Sequence, residues 1–168
     1  MTFESTPYNP TEHDTSSFEC GEPTLDKWLA SDAETETRRG SARVWVWLDE
    51  AERVVAYYSL YASKVKRDDI PKALGRRGPV EIPAVLLGRL ALDQSLRGQN
   101  LGEILLADAL GRVLDATRTV GARFVVVDAL HEKAAGFYER LGFRRVPDSL
   151  LLVHKVADIR AARDFPQS

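Results

Sequence analysis

The run from Gly88 to Leu106, G-R-L-A-L-D-Q-S-L-R-G-Q-N-L-G-E-I-L-L, does most to limit what this chain can fold into. An apolar stretch, Val85 to Leu92, ends at Asp93 and a short polar turn. A glycine-bearing loop then spans Arg97 to Gly102, and an amphipathic pattern starts directly after it. Strand, glycine loop and helix in that order build an anion site. The loop backbone approaches a phosphate closely, and the unpaired N–H groups of the helix start point at it. Arg97 adds a positive charge where a pyrophosphate would sit. The plainer alternative is an ordinary connection, since glycines are common between strands and helices. Neither common nucleotide fingerprint fits: the segment lacks the lysine and Ser/Thr that close a P-loop, and the third glycine of the dinucleotide motif.

A length of 168 residues predicts one domain with a substantial core. A net charge of −2 argues against a protein that coats nucleic acid non-specifically, while leaving room for a local basic patch. The single cysteine, Cys20, excludes an internal disulfide and agrees with a reducing compartment. Met1 to Pro10 holds no basic region followed by an apolar run, so no signal peptide is expected. No window approaches the ~20 apolar residues that span a bilayer. A cytoplasmic protein with no membrane partner is expected.

Leu25, Trp28, Leu29 and Ala33 recur at helical spacing behind Pro23, which predicts a helix from Pro23 to Arg38 that Gly40 ends. Before it, Phe18 is the main apolar anchor of a polar N-terminal stretch. Ala42–Leu48 and Val54–Ala62, rich in Val, Trp and Tyr around the turn Asp49-Glu50-Ala51-Glu52, read as a hairpin. Ser63 to Pro83 is broken by Pro71, Gly75, Gly78, Pro79 and Pro83, and reads mostly as loop. Ala84 to Leu92 is a central strand, apolar on both faces apart from Arg89. The following helix is expected to reach Val120, with Leu106, Leu110, Val113 and Leu114 on one face and Gly121 as its cap. Ala122–Asp128 is a β-branched strand, Glu132–Leu141 a helix stopped by Gly142, and Leu150–Val156 the last strand before a short helical tail. Two β-α-β passages imply parallel pairing and the hairpin an antiparallel portion, so the expected fold class is α/β with a mixed sheet.

The phosphate loop resembles that of the GNAT superfamily of acetyl-CoA-dependent N-acetyltransferases, Q/R-x-x-G-x-G/A after a strand. Arg97, Gly98, Gln99, Asn100, Leu101 and Gly102 fill that register, with Asn100 where the family has glycine. Asparagine tolerates left-handed backbone angles best among non-glycine residues, so the loop can keep its shape. Ala134-Ala135-Gly136-Phe137-Tyr138-Glu139-Arg140-Leu141-Gly142-Phe143 resembles the family's A-x-x-F-Y-x-x-x-G-F, and His131 stands where Asn or Asp is common. The chain is closest in pattern to the acetyltransferase toxins of bacterial toxin–antitoxin pairs. Phe18, Cys20, Gly21, Leu25, Asp26, Trp28 and Leu29 match their F-x-C-G-x-x-x-L-D-x-W-L opening. Tyr57–Leu60, Ile82–Asp93 and Val127–Leu130 match further blocks, so the likeness covers most of the chain from Phe18 to Phe143.

The resemblance implies a single GNAT domain over 1–168, with a mixed central sheet, a splayed parallel pair and flanking helices. It implies acetyl-CoA as cosubstrate, held by Leu90, Ala91, Leu92, Arg97, Gly98, Gln99, Asn100, Leu101, Gly102 and Phe137. In the family the central strand splays from its neighbour and frees backbone N–H groups, here near Leu90 to Leu92, for the acetyl oxygen and pantetheine arm. Such oxyanion-type donors contribute roughly 3–4 kcal/mol each. Tyr138 corresponds to the tyrosine that hands a hydrogen bond or proton to the departing thiolate, worth about 10²–10⁴ in rate. Its plainer alternative is a core tyrosine beside Phe137 whose hydroxyl is satisfied by backbone.

Strand Ala84–Leu92 carries no Glu, Asp or His to deprotonate an amine. A lysine with pKa ~10.4 is only about 0.1% neutral near pH 7.5, whereas an α-amine at ~7.7–8.0 is about a third neutral, a difference approaching about 4 kcal/mol. A chain without an evident base suits the easier amine, and the toxin branch acetylates the α-amine of an amino acid esterified to tRNA. A water chain to Glu81 or Asp128 remains an alternative base. The basic segment Lys64, Lys66, Arg67, Lys72, Arg76 and Arg77, with Arg38, Arg39 and Arg43, is a candidate for tRNA phosphates, or else a solvated surface offset by nearby acids. Trp28, Trp45 and Trp47 read as core or dimer residues, and His13, His131 and His154 lack metal-ligand spacing.

The leading expectation is therefore an acetyl-CoA-dependent toxin that acetylates aminoacyl-tRNA. The resemblance adds a DNA-binding ribbon-helix-helix antitoxin and a homodimer. The competing readings are a GNAT acting on a protein N-terminus, a lysine or a small-molecule amine, and a non-catalytic binding or corepressor protein that keeps the fold alone.

Overall fold

The computed structural model describes residues 3–75 and 78–164. Met1 and Thr2 of the N-terminal stretch, and Arg76 and Arg77 of the basic segment, lie outside the described residues. In chain order the elements are β1 (Thr6–Pro7), α1 (Pro23–Lys27), a π-helical turn (Trp28–Asp32), α2 (Ala33–Arg39), β2 (Arg43–Leu48), β3 (Val54–Lys66) and α3 (Lys72–Gly75). There follow β4 (Glu81–Leu92), α4 (Leu101–Ala116), β5 (Phe124–Asp128), α5 (Glu132–Arg140), β6 (Arg144–Arg145), β7 (Leu151–Lys155) and α6 (Val156–Asp164). The seven strands form one mixed sheet in the order β1-β2-β3-β4-β5-β7-β6. β2 and β3 are the expected antiparallel hairpin, and β4 and β5 are a parallel pair. This is the α/β class with a mixed sheet that the sequence predicts. No helix among the described residues is long and apolar enough to cross a membrane.

Four local expectations change. The first helix is interrupted by the π-helical turn at Trp28–Asp32. The segment read mostly as loop carries strand at both ends, because Val65 and Ile82 both bury into one apolar cluster with Ile70 and Leu74. Helix α4 stops at Ala116 rather than Val120, whose side chain is 70% exposed and gives the helix nothing to bury; Gly121 is not its cap. Of the two β-α-β passages only the first is parallel. Short β6 turns the chain after α5, so β7 returns antiparallel to β5.

The chain divides into two compact units, each with its own apolar cluster. The first takes in 1–61 and 88–109. Its core gathers Tyr8, Phe18, Trp28, Leu29, Val44, Val46, Tyr57 and Ala91. Trp28 stacks on Tyr57 with ring centroids 5.9 Å apart, and the Tyr57 hydroxyl donates to the Leu25 carbonyl at 2.7 Å, which docks α1 on the sheet. Trp28 and Trp47 are thus core residues, while Trp45 is half-buried. On α4, Asp108 accepts hydrogen bonds from the hydroxyls of Tyr58 (2.6 Å) and Ser5 (2.5 Å), tying the N-terminal strand and β3 to the helix. The second unit takes in 62–87 and 110–168, with Ile82, Ala84, Phe124, Val126 and Val153 at its centre.

Hydrogen bonds to an ionised group contribute about 1.5–3 kcal/mol each. Asp108→Ala removes the shared acceptor of two of them. We expect it to lower the unfolding free energy by about 3 kcal/mol or more in a urea titration, and Tyr58→Phe, which removes one of the two, by about 1.5–3 kcal/mol.

Candidate active site

The connection from β4 to α4 is sewn to the N-terminal segment. The Asp93 N–H donates to the Val55 carbonyl at 2.8 Å, and the Gln94 N–H to the Glu19 carbonyl at 2.9 Å. The Asp93 carboxylate accepts from the backbone N–H groups of Glu19 (2.9 Å) and Ser95 (3.0 Å). Partial burial pushes its pKa up, but the hydrogen bonds from Ser95 and Glu19 outweigh this and hold it below the ordinary carboxylate value. After this anchor the backbone turns left-handed twice, at Gly98 (φ 80°) and Asn100 (φ 57°), and α4 begins at Leu101. Asn100 therefore adopts the conformation for which the sequence singled it out. Residues 97–100 are exposed, Gly102 is half-buried and Leu101 is buried. The loop presents open backbone at the start of a helix, the arrangement that receives phosphate oxygens.

Arg97 has a second task that the sequence did not show. Its guanidinium donates to the Cys20 carbonyl and packs on Gly21, where an added Cβ would lie 2.6 Å from its Nη2. Gly21 takes a left-handed φ of 92°, so the approach needs glycine on both counts. In this arrangement Arg97 holds the N-terminal segment against the loop through a neutral acceptor and keeps its charge. Cys20 is itself buried, and burial together with Asp26 pushes its thiol up to about 12, which leaves it inert.

Leu90, Ala91 and Leu92 close β4, with Ala91 buried and its neighbours half-buried. The parallel register with β5 pairs Ala84–Leu86 with Phe124–Val126, and β4 runs on to Leu92 beyond it. The sequence noted Arg89 only as an exception in an apolar strand. It is half-buried, its guanidinium lies 4.1 Å from the Trp28 ring centroid, and it donates to the Tyr61 hydroxyl. It forms no ion pair with a carboxylate among the described residues. A lone charge in an otherwise apolar central strand was the signal for it.

In the second unit, α5 carries Tyr138 and Phe137. The His131 side chain is its N-cap, Nδ1 accepting from the Ala134 N–H at 3.1 Å, the task that Asn or Asp performs at such positions. Tyr138 is 7% exposed, its ring edge-on to Phe137 (5.2 Å) and Phe143 (5.5 Å). Burial raises its phenol pKa well above the ordinary 10.0. Its hydroxyl makes no hydrogen bond to any described residue, so the alternative of a core tyrosine satisfied by backbone finds no partner there. The two alternative bases are both exposed. Glu81 pairs with Lys64 at 3.1 Å, and Asp128 ends β5.

A family model described as "Acetyltransferase (GNAT) domain" matches residues 40–145. The chain belongs to the GNAT acetyltransferase family. It is 38% identical over 149 residues to a tRNA-acetylating toxin of Mycobacterium tuberculosis, covering 88% of this chain and 89% of that protein. Among solved structures it is similar to a tyrosine-to-phenylalanine mutant of KacT, with a TM-score of 0.90 and 31% identity over 96% of this chain and 99% of that one. AtaT complexed with acetyl-methionyl-tRNAfMet superposes with a TM-score of 0.88 and 30% identity over the same shares. Further structures hold AtaTR with acetyl-CoA and KacTA with DNA. As a GNAT enzyme the protein is an acetyltransferase that draws on acetyl-CoA.

Among the residues of the basic segment, Arg38 pairs with Glu34, Lys64 with Glu81, and Arg67 donates to the Gly78 carbonyl at 3.1 Å. Part of that charge is thus already offset.

The loop geometry makes a prediction about acetyl-CoA binding. A left-handed residue costs about 1–2 kcal/mol unless it is Gly, Asn or Asp. We expect Asn100→Gly to retain acetyl-CoA affinity and Asn100→Val to weaken it about tenfold, read by isothermal titration calorimetry.

Proposed function

We infer that this enzyme is a toxin that acetylates the free α-amine of aminoacyl-tRNA and so blocks translation. The observation that carries this reading is the 38% identity to a tRNA-acetylating toxin across nine-tenths of both chains. The AtaT complex with acetyl-methionyl-tRNAfMet, similar over 96% of this chain, supports the same substrate class.

The residues divide the work as follows. The open backbone of Gly98, Gln99 and Asn100, with the helix start at Leu101 and Gly102, holds the pyrophosphate of acetyl-CoA, and Phe137 is assigned to cofactor binding on the family resemblance. Arg97 supports the loop through Cys20 in addition to its charge. The last residues of β4, Leu90 to Leu92, offer backbone N–H groups to the acetyl oxygen. Bound acetyl-CoA supplies an activated thioester. The amine nitrogen bonds to its carbonyl carbon as the C–S bond breaks, the amine proton leaves to solvent, and Tyr138 donates to the sulfur. Burial suits Tyr138 to this role because it keeps the phenol protonated.

In the same reading residues 1–168 act as one GNAT domain, a homodimer in the cytoplasm, held in check by a DNA-binding antitoxin of ribbon-helix-helix type. The KacTA–DNA structure supports an antitoxin that reaches DNA. A GNAT acting on a protein N-terminus, a lysine or a small-molecule amine is the competing assignment, and no feature of the described residues favours it.

The test is transfer of labelled acetyl groups to a pool of aminoacylated tRNAs. Label on charged tRNA that falls about 10²–10⁴-fold in Tyr138→Phe is the expected result. No label on tRNA from a protein that binds acetyl-CoA would overturn the reading. The pH profile of kcat/KM is expected to rise through the α-amine pKa of ~7.7–8.0. Because burial raises the Tyr138 pKa above 10.0, activity should hold to higher pH than an unperturbed phenol allows.

A further inference from the structure

A second concave site lies wholly within the second unit. Ala122 and Arg123 at the start of β5, Lys155 at the end of β7, and Val156, Ala157 and Arg160 at the beginning of α6 line a cavity of about 290 Å³. It shares no residue with the 97–102 loop or with α5.

Its frame is rigid. Phe124 and Lys155 are register partners across β5 and β7, and the Val156 N–H donates to the Arg123 carbonyl at 2.8 Å. Ala157 and Arg160, three apart on α6, share a helix face.

Three of the six lining residues are cations, and none of the six is acidic. Arg123, Lys155 and Arg160 are each half-buried. The neutral partners of the two arginines fix their direction: Arg123 donates to the Leu74 carbonyl at 3.3 Å, and Arg160 to the Thr117 hydroxyl at 3.0 Å. Neither hydrogen bond offsets charge, and beside them the Arg123 guanidinium lies 5.7 Å from the Phe124 ring centroid. Among the described residues none of the three pairs with a carboxylate, whereas Arg38, Arg53, Lys64 and Arg145 do. Asp158, in the first turn of α6, is exposed and does not line the cavity. Three cations without a carboxylate partner among the described residues line one concavity, and an anion of high charge density is the ligand that such a lining favours. Guanidinium groups match phosphate oxygens by geometry as well as charge.

We propose that this cavity is a phosphate-binding subsite which takes a backbone phosphodiester of the RNA substrate. The RNA half of the assignment rests on the proposed function; the phosphate half does not. The shared chemistry also admits a small phosphorylated molecule, which the experiment separates.

The first arm titrates inorganic phosphate at constant ionic strength and follows the backbone amide signals of Val156 and Ala157 by NMR. Saturable shifts in the wild type, about tenfold weaker binding in Lys155→Gln and retention in Lys155→Arg are expected. The conservative variant controls for damage to the fold, and Arg160→Gln provides an independent loss of charge. Absence of saturation in the wild type would overturn the site. The second arm measures the salt dependence of tRNA binding. Removing one phosphate contact lowers the slope of log K against log salt by about 1. That drop in Lys155→Gln, absent in Lys155→Arg, supports the RNA assignment. Phosphate saturation with an unchanged slope, in a wild type that acetylates charged tRNA, overturns the RNA assignment in favour of a small phosphorylated ligand. Failure of the proposed function shows itself separately, as a wild type that acetylates no charged tRNA.

Discussion

Two left-handed residues, Gly98 and Asn100, let the chain leave β4, turn, and enter α4 with its first N–H groups exposed. A right-handed residue at either position would carry the chain past the helix start. The turn is held from outside itself. Asp93 gathers N–H groups from Glu19 and Ser95, Gln94 donates to Glu19, and Arg97 reaches the Cys20 carbonyl over Gly21. The N-terminal segment is thereby part of the site's foundation. Its packing is equally specific: Phe18 lies edge-on to Tyr57, and Cys20 is buried in the same cluster. A polar-looking opening stretch carries the loop because its few apolar residues and its backbone carbonyls do the holding.

Helix α5 meets the corresponding demand for Tyr138. A nine-residue helix is marginal alone and relies on its ends and its packing. His131 caps the start, Pro-free sequence follows, and the chain leaves through Gly142 into Phe143, whose ring packs on Tyr138. Arg145 on β6 reaches back to both Glu132 (2.7 Å) and Glu139 (2.8 Å), contacts on two turns of the same helix. Single exposed pairs contribute little. One guanidinium bridging two carboxylates two turns apart fixes direction more than it adds stability, and the direction of α5 sets where the phenol points.

Strand and helix identities were largely legible because their patterns are strong: V-W-V-W, F-V-V-V and the glycine loop each admit few alternatives. What escaped had tertiary causes. Val65 and Ile82 fall in a stretch that its prolines and glycines make look like loop, and their shared cluster with Ile70 and Leu74 is what favours strand there. The antiparallel return of β7 depends on a two-residue strand, Arg144–Arg145, too short for any periodicity. The π-helical turn has no residue signature in W-L-A-S-D. At the site, Asn100 and Tyr138 could be named because the resemblance to the family picks out their positions, and residue type adds that asparagine tolerates a left-handed backbone. The partner of Arg97, 77 positions away at Cys20, could not, since a long side chain chooses among acceptors that only the fold brings near. Arg89 lay between these cases: its oddity was visible, its ring partners Trp28 and Tyr61 were not.

The distribution of titratable groups bears on which amine the enzyme can use. Within β4 the acidic residue is Glu81, exposed, at the strand's first position and paired with Lys64. The residues flanking the loop's anchor are no better placed, since the Asp93 carboxylate is engaged by two backbone N–H groups and held ionised by them. Burial keeps the Tyr138 phenol protonated, which suits the donor role proposed for it and not that of a base. On the proposed mechanism a chain so arranged supplies acid assistance to the leaving sulfur while leaving the nucleophile to deprotonate in solvent. For a lysine that concession costs nearly 4 kcal/mol near neutral pH, and for an α-amine well under about 1 kcal/mol. The chemistry that the residues omit thus agrees with the substrate class inferred from the relatives: an ester-linked amino acid arrives with its amine already partly neutral, and an enzyme that positions it needs no base of its own.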